Sequence, residues 1–218
     1  MKKLRILIAD DHDLVRAGTR TLIEGEPDWV VCAEASNGRE AVTLAAKHKP
    51  DVAILDMTMP EMNGLDAARE IKRLLPATEI VLYTSHENEQ LILDVFEAGA
   101  RSYVLKNDAS SQLAAAIRAA AAHKPYFTSK VSEVVFARFL QGGARGGEAD
   151  PEKGRLSSRE REVVQMLCEG RSNKEVAAAL GISVRTAETH RAGIMAKLGF
   201  ESFSDLVRYA IRNGIIAA

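Results

Sequence analysis

The sequence predicts an α/β domain, built on a doubly wound five-stranded parallel sheet, followed by a linker and an all-α domain of four helices containing a helix-turn-helix. Three features predict this. Apolar strand-like runs alternate with helical stretches five times across residues 1–124. A central run, Val52–Leu55, is apolar throughout, as in a strand covered by helices on both faces. From Leu156 onward only helical patterning remains.

The strands are "LRILIA" (4–9), "WVVCAEA" (29–35), "VAILD" (52–56), "EIVLYT" (79–84) and "RSYVLK" (101–106). Helical stretches cover 13–25, 38–47, 64–74, 88–98 and 110–122. Turn residues separate them at "SNG" (36–38), Pro50, Pro76 and "EAGA" (97–100). Repeated βα units form parallel sheets with right-handed crossovers. The expected strand order is 2-1-3-4-5, a flavodoxin-like sheet that binds ligands beyond the strand carboxyl ends. A further helix is expected over 129–140. "QGGARGGEADPEKG" (141–154), with five glycines and mixed charge, reads as a flexible linker. The expected organisation is therefore a domain over 1–124, a linker helix and linker over 125–154, and a second domain over 155–218.

Chemistry-bearing residues fall at the strand ends. Strand 1 runs into Asp10 and Asp11, strand 3 into Asp56, strand 4 into Thr84 and strand 5 into Lys106. Strand 2, an edge in the expected order, ends without such a group. Three carboxylates brought together repel, so the arrangement calls for a cation. Carboxylate ligands with room for water suit Mg²⁺, with Mn²⁺ as the alternative of the same class. Asp10 and Asp11 would hold the ion, and Asp56 would offer it one oxygen while keeping the other as a nucleophile. Lys106 adds a movable positive charge and Thr84 a hydroxyl donor. Together these residues fit phosphoryl transfer to a carboxylate.

At this point the words matter as well as the spacing. "LIADDHDLVRAG", "DVAILDMTMPEMNGLDAAREIK", "VLYTSHE" and "AGARSYVLKND" resemble the receiver domain of bacterial two-component response regulators, over about residues 3–124. The resemblance implies phosphorylation of Asp56 by a partner sensor histidine kinase. It implies a metal site of Asp10, Asp11, Asp56 and the backbone carbonyl of Thr58. Pro60 and Gly64 match the loop after the phosphorylated strand, and Tyr103 matches the aromatic switch position. Such a domain turns over only its own phosphoryl group, so no enzyme acting on another substrate is expected. The logic of the switch is local. A phosphoryl group adds charge and acceptor oxygens, Thr84 moves to donate to one of them, and Tyr103 turns into the vacated space. Thr58 and His86, each two residues beyond a site residue, are candidates for setting the phosphoryl lifetime.

In the C-terminal part, "SSRE" (157–160) and "SNKE" (172–175) are capping boxes. They open helices ending near Gly170 and Gly181; a third helix, 184–198, is capped by Ser183 and stops at Gly199, and a fourth covers 203–213. The second and third form a helix-turn-helix, with 184–198 as recognition helix. Val184, Ala187, Ile194 and Leu198 should face inward, and Arg185, Glu188, Thr189 and Ala192 outward. Lys174, Arg191 and Lys197 are candidate phosphate binders, and Thr186 a hydroxyl donor. "LSSREREVVQMLCEGRSNKEVAAALGISVRTAETHRAGIMAKLG" resembles the LuxR-type DNA-binding domain. The two domains together resemble the NarL/FixJ subfamily of transcription regulators. The resemblance implies promoter DNA as partner, a homodimer on two half-sites with the last helix in the dimer contact, and RNA polymerase as a candidate contact. Glu188, Ala192 and Ala187 depart from the family's usual residues, so no operator sequence carries over.

The remaining observations bound the alternatives. Residues 1–124 hold 15 Lys+Arg and 19 Asp+Glu, while 155–218 hold 10 and 7, an acidic front and a basic back. Cys32 and Cys168 lie in separate domains and read as reduced core residues, and no apolar stretch reaches membrane-spanning length. A cytoplasmic protein without membrane contact is expected. Two rivals remain: a regulator that works without phosphorylation, and a haloacid-dehalogenase-like phosphohydrolase. The latter wants an acid two residues after the nucleophile, where this chain has Thr58.

Overall fold

A computed structural model describes residues 3–85, 98–108, 110–128, 131–132 and 156–216. The chain divides into two compact units, Met1–Ala144 and Arg145–Ala218.

The first unit runs β1 (Leu4–Ala9), α1 (Asp13–Glu24), β2 (Trp29–Ala35), α2 (Gly38–His48), β3 (Val52–Leu55), α3 (Gly64–Leu74), β4 (Glu79–Thr84), β5 (Ser102–Leu105), α4 (Ser110–Ala121) and β6 (Tyr126–Phe127). The helix expected over 88–98 falls almost wholly outside the described residues, as does His86. The strands pair in parallel in the order β2-β1-β3-β4-β5-β6. The expectation of five strands is thus corrected to six. The sixth consists of two residues, with Tyr126 beside Ser102 and Phe127 beside Tyr103. Packing of this unit also continues past residue 124, because Val131 is buried in its core. Of the helix expected over 129–140, only residues 131–132 are described, and they are helical.

Alternation along the strands builds two apolar layers. Leu7, Ala53, Leu55, Ile80, Leu82 and Tyr103 pack with Ala41 and Ala45 of α2 and Leu65, Ala68 and Ile71 of α3. Ile6, Ile8, Val52, Ile54, Val81 and Val104 pack on the other face with Ile23 of α1 and Leu113 and Ile117 of α4. A fully buried side chain such as Ile54 or Leu55 contributes about 1.5–3 kcal/mol over its exposed state. Asn37 and Asn63 cap α2 and α3 by accepting from the Glu40 and Asp66 amides.

The second unit holds α5 (Ser158–Cys168), α6 (Asn173–Leu180), α7 (Val184–Leu198) and α8 (Phe203–Arg212). Ser157 with Glu160 and Ser172 with Glu175 form reciprocal capping boxes. Each such cap contributes about 1 kcal/mol. Gly181 and Gly199 end α6 and α7 in left-handed conformations, φ 64° and 67°, which glycine adopts without a Cβ penalty. Val163, Val164, Val176, Ala187, Ile194 and Leu206 form the centre of the core. Cys32 and Cys168 are both free and half-buried. No helix among the described residues is long and apolar enough to cross a membrane.

Candidate functional site

The sheet register assembles the acidic site. Ala9 and Leu55 are partners across β1 and β3, so the residues that follow them, Asp10 and Asp56, stand at one level of the carboxyl edge. Both backbones stay tied to the sheet there, with the Asp10 amide donating to Ala35 O at 3.2 Å and the Asp56 amide to Ala9 O at 2.8 Å. Lys106 is held likewise by its amide to Thr84 O, at 2.8 Å. The loop after Asp56 folds back tightly. The Gly64 amide donates to Met57 O at 2.8 Å, and a Cβ on Gly64 would lie 1.9 Å from Asp56 O. Only glycine fits this approach, which is why α3 begins where it does.

The side chains converge as well. Lys106 Nζ lies 2.7 Å from Asp10 Oδ2 and 2.9 Å from Asp56 Oδ2, with all three groups largely buried. Asp56 Oδ1 also accepts from the Met57 amide at 2.8 Å. Burial pushes the Asp56 carboxyl up to about 6, against the pull of Lys106, and Asp10 adds to the rise. Burial alone would lower the Lys106 ammonium, but Asp56 and Asp10 outweigh it and hold the lysine above its ordinary value. One lysine therefore faces a surplus of carboxylates.

That surplus fits a divalent cation. One donor atom from each of Asp10, Asp11, His12 and Asp56 can be chosen so that all lie within 4.8 Å of one another. The carboxylates are the hard oxygen donors that Mg²⁺ and Mn²⁺ take. His12 was not anticipated from the sequence. Its amide donates to Asp10 Oδ1 at 2.9 Å, and its Nδ1 lies 2.9 Å from Asp11 Oδ1. The only signal in the sequence was its place directly after the acidic pair.

The other expected residues lie close by in the fold. Thr84 is wholly buried at the end of β4. Leu82 and Tyr103 are register partners, so Thr84, two residues on, shares the Tyr103 face of the sheet. Tyr103 itself is wholly buried, already turned into the core rather than awaiting phosphorylation to enter it. Thr58 is partly exposed in the loop after Asp56, and His86 lies outside the described residues.

In the second unit, Lys174, Arg185, Thr186, Glu188, Thr189, Arg191, Ala192 and Lys197 are all exposed. Several are already engaged. Lys197 Nζ donates to Glu160 Oε2 at 2.8 Å, the oxygen that also closes the α5 capping box. The Thr186 hydroxyl sits 2.8 Å from the Ser183 hydroxyl, and the Thr189 hydroxyl donates to Arg185 O at 2.9 Å. The Arg191 guanidinium lies 5.4 Å from the Phe203 ring centroid, within cation–π range. Ala187 and Ile194 are buried and Leu198 is half-buried, but Val184 is 42 % exposed, against the expected inward face. At 100° per residue Val184 stands about 60° from Ala187, at the margin of the apolar stripe and in the helix's first turn.

Comparisons with known proteins place both units in known families. Residues 6–118 match the response regulator receiver domain family, and residues 154–210 match the bacterial regulatory proteins of the luxR family. The chain is 37 % identical over 213 residues to the transcriptional regulatory protein LiaR of Bacillus subtilis, covering 98 % of this chain and 99 % of that one. It is 35 % identical over 217 residues to the oxygen regulatory protein NreC of Staphylococcus epidermidis, again covering 98 % and 99 %. Among solved structures it resembles RcsB from Salmonella enterica serovar Typhimurium bound to promoter rprA in the presence of phosphomimetic BeF3⁻. That match has a TM-score of 0.64 and 28 % identity and covers 95 % of this chain and 98 % of the other. The chain belongs to the two-component response regulators of the NarL/FixJ type, DNA-binding proteins with a receiver domain followed by a LuxR-type helix-turn-helix.

Proposed function

We propose that this response regulator controls transcription through phosphorylation of Asp56 by a sensor histidine kinase. The observation that carries the reading is the buried Asp56 carboxylate, bridged to Asp10 by Lys106 at the carboxyl edge of the sheet. An Asp56 oxygen attacks the phosphorus of a phosphohistidine. The P–O bond forms as the P–N bond breaks, and the departing imidazole takes up a proton. With its carboxyl at about 6, Asp56 is ionised and nucleophilic at neutral pH. Lys106 needs only to exchange an Asp56 oxygen for a phosphoryl oxygen to stabilise the added charge. Thr84 donates its hydroxyl to another phosphoryl oxygen. Asp10, Asp11, Asp56 and the Thr58 carbonyl would hold Mg²⁺ or Mn²⁺, which supplies charge stabilisation at the transferred group.

Burial of Tyr103 beside Thr84 on one sheet face gives the switch its physical basis. A hydroxyl drawn toward the phosphoryl group alters the space behind Tyr103, and the outer surface of β5 follows. The domain assignment that accompanies this reading is a phosphoacceptor domain expected over 1–124 but packed on through β6 to Val131, then the rest of the linker helix and linker to 154, and a DNA-binding domain over 155–218. Phosphorylation favours a homodimer, which places two recognition helices on adjacent half-sites of promoter DNA and raises their effective concentration. RcsB has been captured on a promoter in the presence of a phosphomimetic, which supports the same partner here. The protein would act in the cytoplasm, where the kinase, DNA and RNA polymerase meet it.

The test is paired. Wild type and Asp56→Asn are treated with a small phosphodonor and Mg²⁺, and mass and assembly state are followed. One added phosphoryl group and a shift to dimer, both missing in the variant, support the reading. No phosphoryl uptake by wild type sinks it, and uptake without a change in assembly removes the dimer step.

A further inference from the structure

We infer that the first turn of α5 clamps both helices of the helix-turn-helix, and that Lys197 serves this clamp instead of a DNA phosphate. Arg159, Glu160 and Lys197 are then positioning residues for DNA recognition. The inference rests on the DNA-binding role of the second unit, whose sequence matches the luxR family.

Two adjacent residues of α5 reach the two helices. Arg159 Nη2 donates to Leu180 O at 2.9 Å, at the end of α6. The carbonyls that end a helix have no partner within it, and a guanidinium there also meets the negative end of the helix dipole. Arg159 Nη1 is held in turn by Glu162 Oε2 at 2.8 Å. Glu160 reaches the other helix. Its Oε2 accepts from the Ser157 amide at 2.7 Å and from Lys197 Nζ at 2.8 Å. Lys197 stands in the last turn of α7, and its ammonium is turned back onto α5.

The clamp acts at the far end of a lever. Arg185, in the first turn of α7, stands about 18 Å along the helix from Lys197. A tilt of about 5° at the clamped end would move the Arg185 end by about 1.5 Å, more than a base-edge hydrogen bond tolerates. The Glu160–Lys197 pair is partly exposed, and such pairs add little to overall stability. Its contribution lies in the angle it fixes.

Salt dependence separates a clamp from a phosphate contact. Full-length wild type first selects its preferred duplex from a random pool. Binding to that duplex and to a scrambled one is then measured at several salt concentrations. Lys197→Ala should weaken the selected duplex about three- to tenfold and leave the salt slope unchanged. Glu160→Gln keeps an acceptor for the Ser157 amide but loses the ion pair, so it should reproduce that loss. The double variant should lose no more than either single one. Lys197→Arg should restore binding, and Arg159→Gln should weaken the selected duplex at unchanged slope. A phosphate contact behaves otherwise. Lys197→Ala would then lower the slope by about 1 on both duplexes, and Glu160→Gln would free the lysine and tighten binding. Either of these results overturns the clamp. A wild type that selects no duplex removes the DNA-binding role itself, a different failure with a different signature.

Discussion

Asp56 should be a stability defect in the metal-free protein, and its removal should strengthen the fold. Its carboxyl rises from 3.8 to about 6 on folding, chiefly through burial. The sign follows from linkage. A group whose folded value is raised contributes stability below its unfolded value, and that stability is lost as pH climbs through the folded value. The loss for Asp56 therefore begins near pH 4 and is complete above about pH 7. The difference of about two pH units is worth about 3 kcal/mol, roughly half of it lost between pH 5 and pH 8. Only 4 % of the residue is exposed, so solvent screening takes little from this figure. Asparagine mimics the protonated carboxyl and escapes the loss. Urea unfolding in EDTA is the assay, followed by fluorescence of Trp29, the single tryptophan, in β2. At a denaturant slope of about 2 kcal/mol per molar, Asp56→Asn should raise the midpoint at pH 8 by about 1.5 M, and at pH 5 by about half as much. Mg²⁺ should raise the wild-type midpoint at pH 8 and leave the variant's nearly unchanged. A variant no more stable than wild type at pH 8, or a gap that does not narrow toward pH 5, would refute the reasoning.

Three other outcomes are expected. Gly64→Ala forces a Cβ to within 1.9 Å of Asp56 O, so the receiver should lose at least about 2 kcal/mol and phosphoryl uptake should fall with it. Trp29-monitored unfolding and mass spectrometry check both. In DNA binding, Lys174→Ala should weaken all sequences alike and reduce the salt slope by about 1, whereas Arg185→Ala should change sequence preference. Binding curves on operator and scrambled DNA at several salt concentrations distinguish the two. Thr58→Asn and His86→Ala should each shorten the phosphoryl lifetime severalfold if these side chains hinder the attacking water. Dephosphorylation followed by mass decides it, and unchanged lifetimes remove them from that role.

Much of the acidic site was legible because a parallel sheet converts sequence position into spatial level. Once Ala9 and Leu55 pair, Asp10 and Asp56 have to adjoin, and Lys106 reaches the same edge through two further pairings, β3 with β4 and β4 with β5. The helix ends were legible for an equally local reason, since Ser157, Ser172 and Ser183 need partners only three residues away. What escaped depends on neighbours that periodicity does not name. Two residues cannot show a period, so β6 exists only because the edge of β5 accepts it. The His12 ring direction follows from the chain's turn out of β1 into α1. The Lys197–Glu160 pair joins residues 37 apart in sequence. Val184 shows that a helical wheel gives an angle but not how far along the helix its cover extends.

The two-residue strand β6 has a mechanical consequence. Tyr126 donates its amide to Arg101 O at 3.0 Å, Phe127 lies beside Tyr103 in the sheet, and Val131 is buried in the same core as that tyrosine. The chain is therefore still clamped, at Tyr126, Phe127 and Val131, to the strand that carries Tyr103 and to its core. A displacement of β5 either drags the root of the linker with it or tears a short backbone seam. In both cases the first backbone to respond is that of Phe127 and Val131, which are packed on the same core as Tyr103.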